Sequence, residues 1–137
     1  NITVRSSSLK GTTVGGDIIP RLIDELPIIA VAAVFADGQT VIKDAQELKV
    51  KETNRIRAVV DEFNKCGIDI TETDYGMIIN GGKSIHGADF KTYGDHRMAM
   101  SLTVLAQLAD SESTLDDSDC ACVSYPTFFD DFYKLGE

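Results

Sequence analysis

The residues best equipped for chemistry crowd into Lys51-Glu-Thr-Asn-Arg-Ile-Arg57, where Lys51, Arg55 and Arg57 stand with only Glu52 against them. In the same stretch Ile56, Val59, Val60 and Phe63 recur at i, i+3, i+4, i+7, the spacing of one face of a helix. Thr53 is the expected N-cap, and Gly67, after Lys65 and Cys66, the expected stop. A helix N-terminus carries positive partial charge, so each cation there costs roughly a few tenths of a kcal/mol. A bound anion would reverse that sign, because free N–H groups and side-chain cations then share one target. The other reading is a solvated basic face whose long side chains lie over apolar surface.

Three apolar stretches must position these groups. Leu26 to Phe35 is apolar all round and predicts a buried helix, with Pro27 in its first turn, Asp24 or Glu25 as cap, and Asp37-Gly38 at its end. A second apolar helix is expected over 96–109, opened by Gly94-Asp95 with Asp95 as its cap. A terminal helix begins at Pro126 and carries Phe128, Phe129, Phe132 and Leu135, read as a core stripe. Strands are predicted at 2–5 and 40–43, at 68–71 and 77–80 as a hairpin around Thr73-Asp74-Tyr75-Gly76, briefly at 90–93, and last near 120–124. Residues 6–17 read as loop or short strands; Gly15-Gly16-Asp17 could cradle a phosphate or form only a turn.

A weak internal repeat runs through these elements. Residues 34–44 resemble residues 107–117, a spacing of 73 from Asp44 to Asp117. Extended outward, this register pairs Val50 with Val123, the start of the Thr53 helix with Pro126, and Asp24 with Arg97. Such repeats mark duplicated supersecondary units; the unit here reads helix–strand–helix with one or two strands following. Asp24 and the His96-Arg97 pair then occupy equivalent helix entrances. A buried helix whose charges gather at its N-terminus presents them to a ligand, although polar residues near a cap also simply face water.

The chain has 137 residues, and an apolar content of 43% suits one domain with a real core. Net charge is −9 and the pI near 4.6, which argues against nucleic acid and against an anionic membrane surface as partners. An anionic ligand would have to be held by local cations against a repulsive overall field. The longest apolar run, 26–36, is too short to span a membrane, and no signal peptide is read. The chain starts at Asn1 rather than Met, as expected of an excised piece or a processed product. Cys66, Cys120 and Cys122 are odd in number and lack a disulfide spacing, which points to a reducing, cytoplasmic setting. In a strand, Cys120 and Cys122 would share a face, but no second Cys/His pair stands at metal-ligand spacing. Buried structural cysteines are therefore expected rather than a metal site.

Lys51-Glu-Thr-Asn-Arg55, preceded by Asp44-Ala45 and Leu48, resembles the K-E-[ST]-[DN]-R signature of the 3-phosphoshikimate 1-carboxyvinyltransferase (EPSP synthase) family. Tyr93-Gly-Asp-His-Arg-Met-Ala-Met100 is similar to the family's second signature. Ser124-Tyr-Pro-Thr-Phe-Phe129 is similar to its C-terminal segment, and Leu22-Ile-Asp-Glu-Leu-Pro27 to the segment with its catalytic Asp. The resemblance implies an α/β (α+β) fold of repeated βαβαββ units, strands packed around buried helices, with helix N-termini converging on an active site between two domains. It implies that residues 1–137 are a single domain, the C-terminal part of such an enzyme, without the partner N-terminal domain that supplies most shikimate-phosphate contacts.

The implied reaction moves the enolpyruvyl group of phosphoenolpyruvate to the 5-hydroxyl of shikimate 3-phosphate through a tetrahedral adduct, with neither metal nor cofactor. By the same resemblance Asp24 matches the general base, Glu52 the proton donor and Lys51 a substrate or phosphate contact. Arg55 and Arg97 match the phosphoenolpyruvate clamp, with His96 as an accessory; Val123 stands where some members carry Lys. The guanidinium groups of Arg55 and Arg97 are then expected to face one cleft, with Lys51 and Glu52 on its wall, and the isolated chain is expected to be inactive. UDP-N-acetylglucosamine enolpyruvyl transferase shares the fold and phosphoenolpyruvate but not this form of the two signatures. A non-catalytic anion-binding module would have no use for Asp24 and Glu52 facing an anion.

Overall fold

Leu26–Phe35 contains no polar residue, and it forms a helix that buries Leu26, Ala30, Val31 and Val34. The computed structural model containing it describes residues 1–136; Glu137, the last residue of the expected domain, lies outside the described residues. In chain order the elements are β1 (Thr13–Val14), α1 (Ile19–Leu22), α2 (Leu26–Phe35), β2 (Gln39–Ile42), α3 (Arg55–Asn64), β3 (Asp69–Thr73), β4 (Gly76–Asn80), β5 (Asp89–Phe90), α4 (His96–Gln107), β6 (Thr114–Leu115) and α5 (Phe128–Lys134). Tight 3-10 turns at Gly16–Ile18, Gln46–Val50 and Asp119–Val123 join them.

The elements β1 to β4, with α1 and α2 together filling the first helical position, make one βαβαββ unit. Its sheet runs β1-β2-β4-β3, with β1 parallel to β2 and the other pairs antiparallel. The β3–β4 hairpin closes at the Thr73↔Gly76 pair. Gly76 is required there because a Cβ would collide with the Ile42 carbonyl of β2. A second unit follows as βαβα, with β5 parallel to β6. The 73-residue register survives in three dimensions: it separates the turns Gln46–Val50 and Asp119–Val123, and also the helix starts Arg55 and Phe128.

Helices α2, α3 and α4 pack against one another, while α3 lies on β3 and β4 and α2 on β4. Leu26, Ile56, Val59, Phe63, Met77, Ile79, Met98, Leu102 and Leu105 fill the space between, all buried. Each such side chain stabilises the fold by roughly 1.5–3 kcal/mol. Strands thus surround buried helices, as the resemblance implied. Among the described residues no helix is long and apolar enough to cross a membrane.

Several sequence expectations fail for identifiable reasons. Residues 2–5 alternate like a strand but are exposed and join no ladder. The expected strand near 120–124 is a 3-10 turn, so Cys120 is buried and Cys122 exposed, and their thiols do not share a face. The aromatic stripe of α5 is only half-buried, and Leu135 is exposed. In the first unit β3 and β4 cover α3, whereas α5 has no such cover among the described residues. Glu25 holds the N-cap position of α2 but its side chain does not cap, because the preceding turn of α1 feeds directly into the helix.

Candidate active site

Asn54, not Thr53, caps α3. Its Oδ1 accepts the Arg57 backbone N–H at 3.2 Å, and its extended backbone sets Arg55 as the first helical residue. Both residue types cap well. The shift by one residue leaves Lys51 and Glu52 in the bend ahead of the helix. Arg57 turns away on the solvent side, paired with Asp61 at 3.1 Å and Glu72 at 3.0 Å, and needs no ligand to account for it.

Arg55 turns inward and is 1% exposed. Its Nε donates to Asp95 at 2.8 Å and its Nη2 to the other Asp95 oxygen at 3.2 Å. Nη2 also donates to Glu52 at 2.5 Å, and Nη1 to Asp24 at 3.0 Å. Lys51 Nζ adds an ion pair to Asp24 at 3.9 Å. A guanidinium has five N–H donors; four are engaged and one remains on Nη1. Desolvation pulls the Arg55 pKa down, but the bonds and charges of Asp95, Glu52 and Asp24 outweigh it and the net shift is upward.

Asp95 is wholly buried, and the sequence reading gave it only a capping role. It does cap α4, accepting from Arg97 N–H at 2.9 Å and Met98 N–H at 3.4 Å. Both of its oxygens also hold Arg55. One carboxylate therefore ties the start of α3 to the start of α4. No sequence signal marked this second role, because it follows only once Arg55 is seen to be buried: a buried arginine needs a buried carboxylate, and Asp95 is the acid at the second helix entrance.

Arg97 is placed differently. Its side chain is 34% exposed, its Nη1 lies 3.6 Å from Glu25, and its Nε is buried with no partner among the described residues. It lines a cavity of about 260 Å³ with Asp24, Glu25, Ser101, Tyr125 and Phe128. His96, in the same first turn, is half-buried and makes no hydrogen bond or ion pair with the other five residues among those described.

The structure thus brings Asp24, Lys51, Glu52 and Arg55 into one cluster, with Arg97 joined to it through Asp95 and the shared cavity. The expected common cleft is not found: the cavity that Arg97 and Asp24 line does not include Arg55, Lys51 or Glu52, and Arg55 lies buried beneath its carboxylates. A larger cavity, about 400 Å³, lies between Phe35, Lys83, Ile85, Leu108 and Asp110 and gathers none of these groups. The cluster pairs two half-exposed carboxylates, Asp24 and Glu52, with a lysine and an under-used arginine in the first turn of a long helix. Such a set can hold an anion and exchange protons with it.

A sequence model of EPSP synthase (3-phosphoshikimate 1-carboxyvinyltransferase) matches residues 1–132. The chain is 56% identical over 137 residues to the 3-phosphoshikimate 1-carboxyvinyltransferase of Bacillus cereus (strain B4264), covering 100% of this chain and 32% of that protein. It is 56% identical over 135 residues to the protein of the same name from Listeria innocua, covering 98% of this chain and 32% of that protein. The solved EPSP synthase of Acinetobacter baumannii superposes with a TM-score of 0.86 at 38% identity, over 90% of this chain and 29% of that one. The enolpyruvyl transferase NikO of Streptomyces tendae, at 22% identity and a TM-score of 0.70 over 94% of this chain and 28% of that one, shares the fold. The chain spans about a third of the length of the curated relatives it matches.

Proposed function

Because the chain belongs to the EPSP synthase family, we propose that it is the C-terminal part of a transferase that moves the enolpyruvyl group of phosphoenolpyruvate to the 5-hydroxyl of shikimate 3-phosphate. The observation that carries this reading is the Arg55 cluster, which holds Asp24 and Glu52 at 3.0 and 2.5 Å from one guanidinium. The reaction needs a base for the hydroxyl, a proton for the vinyl carbon, and cations for carboxylate and phosphate. Asp24 is the base and Glu52 the proton donor, held on either side of the same cation. Lys51 contacts substrate or phosphate. Arg97 carries most of the phosphoenolpyruvate clamp, since its Nε has no other partner and Arg55 adds only one remaining N–H. His96 is an accessory in the same helix turn.

Residues 1–137 act as one domain, and the partner domain completes the shikimate 3-phosphate site. Closure of two domains assembles the groups and excludes water. The reaction runs on these side chains with no metal or cofactor. Three free cysteines support a reducing, cytoplasmic location. The test is phosphate release from phosphoenolpyruvate with shikimate 3-phosphate, by the full-length protein and by this chain alone. Turnover is expected from the full-length protein only; none from it, or turnover by the chain alone, overturns the reading.

A further inference from the structure

Glu62 is the other charged residue buried along α3. It lies two helical turns beyond Arg55, on the same face, and is 1% exposed. Its Oε1 accepts the Tyr93 hydroxyl at 2.9 Å, and its Oε2 accepts the Lys91 backbone N–H at 2.9 Å and Lys65 Nζ at 2.7 Å. Lys65 Nζ also donates to the Asp89 carbonyl at 3.1 Å. All these partners except Lys65 sit in or just before the loop that enters α4, the loop that ends at Asp95 and Arg97.

That loop is conformationally demanding. Tyr93 and Gly94 both have left-handed backbone, with φ of 59° and 63°. Glycine takes this conformation freely; a tyrosine holds it where its surroundings over-determine it. Asp116 supplies one constraint, accepting from the Thr92 N–H at 2.9 Å and the Thr92 hydroxyl at 3.0 Å. The repeat shows which constraint is general. In the first unit Asp44, one residue out of the 73-residue register with Asp116, accepts the Gly16 N–H at 2.9 Å from the loop entering its helix. Among the described residues, no side chain from another unit grips that first loop as Glu62 grips the second.

We propose that Glu62, through Tyr93 and Lys91, is a positioning residue that sets the start of α4 against Arg55 and so places Arg97 for the anionic substrate. The inference rests on the reading of Arg97 as the phosphoenolpyruvate clamp. Helix α3 holds the loop at two points, Asp95 through Arg55 and residues 91–93 through Glu62. Release of the second point leaves Asp95 anchored but lets the turn that carries Arg97 swing about it.

The experiment uses the full-length protein with Glu62→Gln and Tyr93→Phe, the latter removing one hydroxyl only and remaining informative should the buried glutamine prevent folding. Phosphate-release kinetics give KM for each substrate, and hydrogen exchange by mass spectrometry reads residues 91–98. Expected is a rise of about tenfold in KM for phosphoenolpyruvate, with KM for shikimate 3-phosphate within about twofold. Exchange should quicken over 91–98 and stay unchanged in the β3–β4 hairpin. Unchanged phosphoenolpyruvate KM in folded Tyr93→Phe, equal rises in both KM values, or unchanged exchange over 91–98 would overturn the proposal. Absence of turnover in the unmutated protein would instead sink the transferase reading, and the exchange data would still decide whether Glu62 holds the loop.

Discussion

Removal of either arginine should damage this protein, but in opposite ways. Arg55→Met keeps an apolar stem and deletes four hydrogen bonds to three carboxylates. Asp95 then stays buried with only the Arg97 and Met98 N–H groups for company. Breaking a buried ion pair from one side costs roughly 3–5 kcal/mol. Asp24 and Glu52 are 42% and 48% exposed and can turn to water, so they add little. The low end, about 3 kcal/mol, is the better figure because the α4 cap still satisfies part of Asp95. With an unfolding entropy of about 0.3 kcal/mol/K for a chain of this length, Tm should fall by about 10 °C.

Arg97→Ala loses only a loose contact to Glu25 at 3.6 Å, so stability should change by about 0.5 kcal/mol or less. Its cost lies in binding, where loss of a charged partner to the anion is worth about 1.5–3 kcal/mol, or roughly 10- to 150-fold in affinity. Thermal unfolding and phosphoenolpyruvate calorimetry on the two variants and the parent, side by side, separate these signatures. An Arg55→Met protein that melts within about 2 °C of the parent, or an Arg97→Ala protein that loses as much stability as it, refutes the assignment of scaffold to one arginine and clamp to the other.

Three further outcomes are expected. Asp24→Asn and Glu52→Gln in the full-length protein should each lower kcat by about 10²–10⁴-fold with phosphoenolpyruvate KM within about threefold, and steady-state kinetics with unchanged kcat would exclude acid–base roles. The isolated chain should bind phosphoenolpyruvate weakly and lose affinity as salt rises, because exposed charges are screened within about 10 Å at 0.1 M; an NMR titration insensitive to salt contradicts this. Cys122, exposed, should be alkylated at about pH 8 well before Cys66 and Cys120. Burial first, and Glu62 second, push the Cys66 thiol up to about 11, so peptide mapping that finds Cys66 labelled first would show the α3 end to be open.

Local signals carried much of the fold. The all-apolar run 26–35, the i, i+3, i+4, i+7 spacing from Ile56, and the turn residues at 73–76 each became the element they predict. Failures came where structure depends on partners rather than on local sequence. Ile-Thr-Val-Arg at 2–5 alternates correctly, but a strand is a pairing, and these residues have no neighbour to pair with among those described. Cys-Ala-Cys-Val at 120–123 has strand-like residues, yet it occupies the repeat position of the turn at 46–50, which the 73-residue register could have revealed. At the site, the cationic helix starts were legible from charge spacing, while the roles proposed for the carboxylates rest on resemblance. The burial of Arg55 was not, because an arginine at a helix start ordinarily reaches water, and only tertiary packing brings Asp95 beneath it.

The site exists only where two units meet. Arg55, Asp24 and Glu52 come from the first unit, while Asp95 and Arg97 come from the second. Two helix N-termini brought side by side, each with cations in or before its first turn, repel one another. The buried charge of Asp95 offsets that repulsion by serving both helices at once. Asp24, Glu25, Glu52 and Asp95 then stand against Lys51, Arg55 and Arg97, so the cluster carries no surplus of positive charge, in a chain whose net charge is −9. Attraction for the proposed anionic ligand must therefore come from geometry at short range. The groups left to supply it are Lys51, the partnerless Nε of Arg97 and the remaining N–H of Arg55, since Asp95 already takes the Arg97 and Met98 N–H groups of α4. Asp95 fixes the start of α4 that carries Arg97 against Arg55, and small movements of the loop before α4 should therefore change affinity more than changes in surface charge elsewhere.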